Sequence, residues 1–166
     1  MMSKRQQILT EVLTRLAEIA TANGFATDAG QLLFVNESPD LGPGDPDAAI
    51  AVLVREDVIT HQMAKFQIQL PIDLCAIVKV PVAEDGAAAT ETDPGRPHPW
   101  AVTEAAIADI KRAMEIEETP PRSLGGLAAP RFERGTTRPV PRDEGSTSVG
   151  AMIRYTVPYL EGWGQP

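Results

Sequence analysis

The sequence feature that most constrains the fold is a long alternation of apolar and polar residues. Every even position from Ala64 to Val80 is apolar, and the odd positions between them are mostly polar. A period of two is typical of a β-strand with one face on a hydrophobic core. At about 3.3 Å per residue the run spans roughly 55 Å, which is more than the width of a small domain. The strand must therefore bend or reach past its own core.

Pro71 interrupts this run and has no N–H to donate to a sheet ladder. We expect it to mark a bend or bulge, or an edge where the strand leaves its own sheet. The predicted hairpin partner is Ala48–Asp57, joined through Val58–His61. Residues Ala48–Arg55 are apolar on both faces, which predicts that they form the central strand.

Two helices are predicted, one before and one after these strands. The first begins at the capping-box pattern of Ser3 and Gln6 and runs from about Lys4 to Ala22, where Asn23-Gly24 stops it. The second begins at Pro99 and carries apolar residues at spacings of three and four.

Strand-like stretches at Gln31–Asn36 and Val149–Tyr159 complete the element order α-β-β-β-α-β, with a further short strand before the last one left as an alternative. With a single long crossover helix, this order predicts an α+β fold, namely a mostly antiparallel β-sheet with two helices packed on one face. The 166 residues fit one domain.

Three segments are predicted to be mobile loops, near 37–47, 83–97 and 130–147. The first two are acidic, whereas Arg131–Arg142 carries four arginines and one acid. Either these are three solvated loops, or acidic and basic loops of neighbouring copies meet in a head-to-tail ring.

The composition disfavours several kinds of function. The net charge of −8 argues against general nucleic-acid binding, and no apolar run is long enough to predict a membrane span. Cys75 is the single cysteine, so one chain cannot form a disulfide or a Cys/His zinc site. Leu124–Leu127 contains two glycines but lacks the spacing of a phosphate-binding loop. The sequence therefore predicts no catalytic residue, no cofactor and no metal site.

Several stretches resemble one family. They are Arg5–Leu9, Asn23–Gly30, Ala105–Met114, Gly145–Tyr159 and Gly162–Pro166. In these stretches, and in its element order, the chain resembles the tail terminator (tail completion) proteins of long, non-contractile-tailed phages and prophages. The resemblance covers most of the chain and rests on patterns of helix and strand.

The resemblance implies a structural protein and not an enzyme. Six copies would form a ring that caps the finished tail tube, stops its polymerisation and offers the docking surface for the head. The implied partners are the tail tube protein and a head–tail connector protein, and DNA passes through the ring without specific binding. The implied location is the virion tail, assembled in the host cytoplasm, with no membrane contact.

Candidate contact residues follow from the long strand and the basic segment. Those proposed for subunit or tube contacts are Gln67, Gln69, Pro71, Arg131, Arg134, Arg138 and Arg142. The acidic loops are expected to face the channel, where they would repel DNA. The candidates there are Asp40, Asp45, Asp47, Glu84 and Asp85.

Two alternatives stay open. One is another virion head–tail connector or a minor tail component, which joins the particle at a different stage. The other is a small cytosolic α+β enzyme, which should show a pocket with convergent polar groups.

Overall fold

A computed structural model of the chain describes residues 2–62, 65–80, 97–116, 124–128, 132–140 and 147–162. It contains two α-helices and one six-stranded sheet, which confirms the α+β class. The helices are α1 (Lys4–Ala17) and α2 (Pro99–Glu115). The strands are β1 (Leu33–Val35), β2 (Ala48–Val54), β3 (Val58–Gln62), β4 (Lys65–Lys79), β5 (Glu133–Pro139) and β6 (Ser148–Gly162).

The strands lie in the order β1-β2-β4-β6-β5, and β3 pairs with the part of β4 that β2 does not reach. Only β1 and β2 are parallel; the other neighbours are antiparallel. The prediction that β2 is the central strand is wrong, because β4 lies at the centre. Strand β2 is apolar on both faces because β1 and β4 flank it and both of its faces are covered.

The long alternating run forms β4, and it is paired along its whole length with β6. The ladder runs from Lys65 opposite Gly162 to Lys79 opposite Ser148. The even-numbered side chains of β4 from Ile68 to Val78 are buried in the main core, as the alternation predicts.

Pro71 lies beside a bulge in the neighbouring strands. Val54 is opposite Ile72 and Val58 is opposite Gln69, so Arg55–Asp57 contribute one residue more than the segment of β4 they face. The Arg55 N–H donates to the Pro71 carbonyl at 2.9 Å. The expectation of a bulge is confirmed.

The predicted connection Val58–His61 is wrong, since these residues belong to strand β3. After the bulge the chain resumes antiparallel pairing with β4 instead of turning. The hairpin therefore continues to Gln62 and returns at Lys65.

Helix α1 begins with the predicted capping box: the Gln6 N–H donates to Ser3 Oγ at 3.2 Å and the Ser3 N–H to Gln6 Oε1 at 2.9 Å. It ends at Ala17, earlier than the predicted Ala22, because the chain turns after Glu18 and becomes extended at Ala20. Gly24, with φ of 81°, ends the short 3₁₀ turn that follows.

Both helices pack on one face of the sheet, as predicted. Buried residues of α1 and α2 share a single core cluster with the even side chains of β4. Asp109 links α2 to the segment that follows α1. Its carboxylate accepts hydrogen bonds from the Ala26 N–H at 3.1 Å and from the N–H and hydroxyl of Thr27, both at 2.8 Å. No helix in the described part of the chain is long and apolar enough to cross a membrane.

The three predicted loops have different outcomes. Residues 37–47 form a loop, as predicted. Most of 83–97 lies outside the described residues. The loop predicted near 130–147 is wrong at its centre, where β5 pairs with β6 and the alternative of a short strand before the last one is confirmed. Strand β5 is polar and exposed, and its pairing with β6 is what holds it in a strand conformation.

Candidate assembly surface

The side of the sheet opposite the helices carries a second, smaller apolar cluster. Ala51, Cys75 and Ile77 are buried in it, and Phe34, Leu41, Leu53 and Met152 pack against it. None of these residues belongs to a helix. We call this side, with the residues that share it on β1, β2, β4, β5 and β6, the helix-free face.

A buried carboxylate lies on the helix-free face between two arginines. Arg154 donates from Nε to Asp73 Oδ1 at 2.6 Å and from Nη2 to Oδ2 at 2.9 Å, and Arg55 Nε donates to Oδ2 at 2.7 Å. Burial alone raises the pKa of Asp73, but the hydrogen bonds from Arg154 and Arg55 together outweigh it and hold the pKa below its ordinary value. Both arginine side chains are nearly half exposed, at 46% and 47%.

Arg138 adds a third cation to this face. The register places it opposite Met152, which in turn faces Cys75. Burial and, to a smaller extent, Asp73 raise the pKa of the Cys75 thiol to about 11, while Arg55 and Arg138 oppose the rise. Three arginines and one buried aspartate thus give this region a positive charge on a chain whose net charge is −8.

Arg134 lies on the other side of β5. Its Nη1 donates to both carboxylate oxygens of Glu115, at 2.7 and 3.0 Å, and the Tyr155 hydroxyl donates to the same carboxylate at 3.0 Å. Arg134 and Arg138 are therefore on opposite faces of the sheet. Arg131 and Arg142 lie outside the described residues.

Gln67, Gln69 and Pro71 follow one another along the helix-free face of β4, by the alternation of the strand. All three are partly exposed. Their partners on β6 are Leu160, Pro158 and Thr156. The structure therefore brings these three predicted contact residues together, toward the end of the sheet where β3 is.

The acidic loop 37–47 lies over the opposite end of the helix-free face. Leu41 packs on the second apolar cluster, Lys79 Nζ donates to the carbonyl of Asp45, and Asp45 Oδ2 accepts from the Gly42 N–H at 2.7 Å. Asp40 and Asp47 are exposed, and Asp45 is partly buried. The other two predicted channel residues, Glu84 and Asp85, lie outside the described residues.

Strand β3 is an edge strand that the helices do not cover. Ile59 pairs with Ile68, which pairs with Tyr159, so the three form one row on the helix side of the sheet. Ile68 and Tyr159 are buried, whereas Ile59 is 57% exposed, and its neighbour Val58 is 59% exposed on the opposite face. The row shows that the helical layer stops short of β3.

A cleft of about 680 Å³ lies between the acidic loop and the start of α2, and its lining includes Asp28, Asp45 and Asp47. Asp28 Oδ1 accepts hydrogen bonds from the N–H and the hydroxyl of Thr21, at 2.8 and 2.9 Å. These bonds hold the short turn after α1, so the carboxylate has a structural role at the cleft wall.

Sequence reasoning missed the two most distinctive features of this surface. The sequence pattern does not identify the cluster of Arg55, Asp73 and Arg154, although an aspartate inside a β-run is a signal for a partner of opposite charge. The pattern also predicts a connection at the exposed Val58 and Ile59, which lie in β3. Their signal is two adjacent β-branched residues followed by threonine, which favours a strand.

No protein-family model matches the sequence, and no curated protein is significantly similar to it. The resemblance to tail terminator proteins therefore stays a prediction based on sequence pattern and on the order of elements.

Proposed function

We propose that this chain is a structural subunit of a phage or prophage tail, a tail terminator that forms a six-membered ring on the end of the tail tube. In this role it stops tube polymerisation and offers the surface on which the head docks. It performs no catalysis, and its partners are further copies of itself, the tail tube protein and a head–tail connector protein.

The observation that carries the proposal is the uncovered edge strand β3. The described residues form one large buried core, whereas the consecutive residues Val58 and Ile59 of this edge strand are each more than half exposed. Open apolar edges promote association, and monomeric proteins usually protect them from pairing. An exposed edge of this kind beside a buried core favours a subunit of an assembly over a free-standing enzyme.

The two ends of the helix-free face support different contacts in such a ring. Gln67, Gln69 and Pro71 lie near β3 and are suited to subunit or tube contacts. The acidic loop with Asp40, Asp45 and Asp47 lies at the other end, where it is suited to face a channel that carries DNA. A ring whose channel is lined by Arg55, Arg138 and Arg154 would overturn this second assignment.

The test is to delete the gene from the phage or prophage genome that carries it and to examine the particles by electron microscopy. We expect overlong tail tubes beside filled heads without tails, and normal lengths when the wild-type gene is supplied in trans. Tails of normal length that fail to join heads would instead assign the chain to head–tail connection. Unaltered infectious particles would overturn a role in the virion.

A second arm tests ring formation directly. Purified protein should give rings of six subunits in native mass spectrometry and negative-stain images, and the rings should bind one end of isolated headless tails. If the protein stays monomeric at all concentrations and also fails to bind tails, the proposal is contradicted.

A further inference from the structure

In the described part of the chain β1, β3 and β5 are edge strands of the sheet, and they differ in how well they are protected from pairing. Strand β1 is short, and Asn36, with φ of 54°, ends it at once. Strand β5 carries arginines, an irregular register between Arg134 and Thr137, and Pro139. Short length, charge, bulges and proline oppose indiscriminate edge pairing. The arginines of β5 therefore restrict its edge to a partner strand that carries an opposite charge.

Strand β3 is five residues long and contains no proline, lysine or arginine. Val58, Ile59 and Thr60 are all exposed, and the bulge lies before them. The contrast with β1 and β5 marks β3 as the edge whose backbone N–H and C=O groups are left open for an added strand.

The directions of the strands identify a complementary edge on the same chain. Strand β3 is antiparallel to β4, β4 to β6 and β6 to β5, so β3 and β5 run in opposite directions. If a second copy continues the sheet with its strands in the same sense, its β5 meets β3 as an antiparallel neighbour. The contact joins two different edges, as a cyclic ring requires.

Charge supports the same pairing. Exposed Glu56 lies just before β3, and exposed Arg138 lies near the end of β5. In the antiparallel arrangement the start of β3 lies beside the end of β5, so the two charges approach each other across the contact. Opposite charges on neighbouring strands stabilise a pair, and like charges oppose it.

We infer that β3 of one copy pairs antiparallel with β5 of the next copy, which makes the β-sheet continuous around the assembly. The inference rests on the proposed ring and names the surface that closes it. A second copy of this chain is the occupant of the open edge, and Glu56 and Arg138 set the register.

Disulfide trapping tests the pairing. In a Cys75→Ala background, the double variant Val58→Cys with Thr136→Cys should form a ladder of covalent oligomers on oxidation, and each single variant should form none. Val58→Cys with Thr10→Cys, which places the second thiol on an exposed position of α1, is the matched control and should form no ladder. Cross-linking of Val58→Cys alone would overturn the inference, because it indicates pairing of β3 with itself.

Native mass spectrometry of the same samples separates the two proposals. Rings without the cross-link overturn the β3–β5 contact and leave the proposed ring in place. A cross-linked chain of open oligomers supports the contact and contradicts a closed ring. A sample that contains no rings and no cross-links would contradict both the proposed ring and the β3–β5 contact.

Two further variants test the contact without cysteines. Ile59→Lys should weaken assembly about tenfold or more, because a lysine on an edge strand opposes pairing. Ile116→Lys is the matched control, since Ile116 is 52% exposed on the end of α2, and it should assemble normally. Arg138→Glu should weaken assembly as well, and adding Glu56→Arg should restore it; failure of this swap in folded protein would overturn the assigned charge pair.

Discussion

Asp73 and Arg154 are direct cross-strand partners in the β4–β6 ladder, and both carboxylate oxygens of Asp73 accept hydrogen bonds from the Arg154 guanidinium. Arg55, the residue that follows β2, completes the arrangement, so side chains from β4, from β6 and from the end of β2 meet at one buried carboxylate. Such charge-assisted bonds are stronger than neutral ones, and a two-pronged arginine also fixes geometry. The cluster therefore holds the centre of the sheet in register on the side opposite α1 and α2.

Asp73→Asn should destabilise the protein by about 2–3 kcal/mol, measured by urea denaturation. The amide cannot accept from both arginines with the same strength, and it leaves their charges without a buried counter-ion. The half-exposed arginines remain hydrated, which keeps the loss below that for a fully buried pair. Asp40→Asn, an exposed change on the acidic loop, is the control and should stay within about 0.5 kcal/mol of wild type.

The effect of Asp73→Asn should depend on pH. The pKa of Asp73 is lower in the folded chain than its ordinary value of 3.8, so the charged carboxylate stabilises the fold fully above that value. The contribution is lost as pH falls through the folded pKa. The stability difference between wild type and variant should be constant above about pH 5 and shrink below pH 4. A difference that is unchanged at pH 3 would contradict this role.

Asp109→Asn should cost about 2–4 kcal/mol, because the buried carboxylate of Asp109 receives three hydrogen bonds from the segment after α1. Thr27→Val removes one of these bonds and should cost about 1 kcal/mol. Chemical denaturation of both variants checks the ratio. Equal losses would show that the hydroxyl bond, and not the carboxylate as a whole, joins α2 to this segment.

The sequence predicted the elements whose signal is local. The alternation through β4 and the capping box of α1 depend on neighbouring residues, and both are confirmed. The role of Asp109 does not follow from the sequence. Its partners Ala26 and Thr27 are more than 80 residues away, and the helical spacing around Asp109 does not indicate them.

The edges of the sheet could not be predicted, because they depend on pairing. Whether Val58–Gln62 is a connection or a strand is decided by the bulge at Arg55–Asp57, which restores contact with β4. Glu133–Pro139 has a polar sequence without an apolar face, and it becomes β5 only beside β6. The candidate surface consists largely of these edges, so its most exposed residues were the ones missed.

Gly30→Ala should destabilise the chain by about 3 kcal/mol or more. A Cβ at Gly30 would lie 2.2 Å from the Leu16 carbonyl oxygen and 2.7 Å from that of Ile19, and both are backbone atoms that cannot rotate away. The Gly30 N–H also donates to the Ile19 carbonyl at 3.0 Å, which holds the two segments together. Gly44→Ala is the control, because no atom lies within 4 Å of the added Cβ; its midpoint in thermal denaturation should match wild type.

The Cys75 thiol should be unreactive in the folded protein. It is buried beneath the helix-free face, and burial raises its pKa from 9.0 to about 11. At pH 8 this lowers the thiolate fraction about a hundredfold, and covering by neighbouring side chains slows attack further. Reaction with a chromogenic disulfide reagent should be slow in buffer and complete in 6 M guanidinium, a standard unfolding condition. Rapid labelling without denaturant would show that the loop over Cys75 opens, and it would contradict the packing of Leu41 on this face.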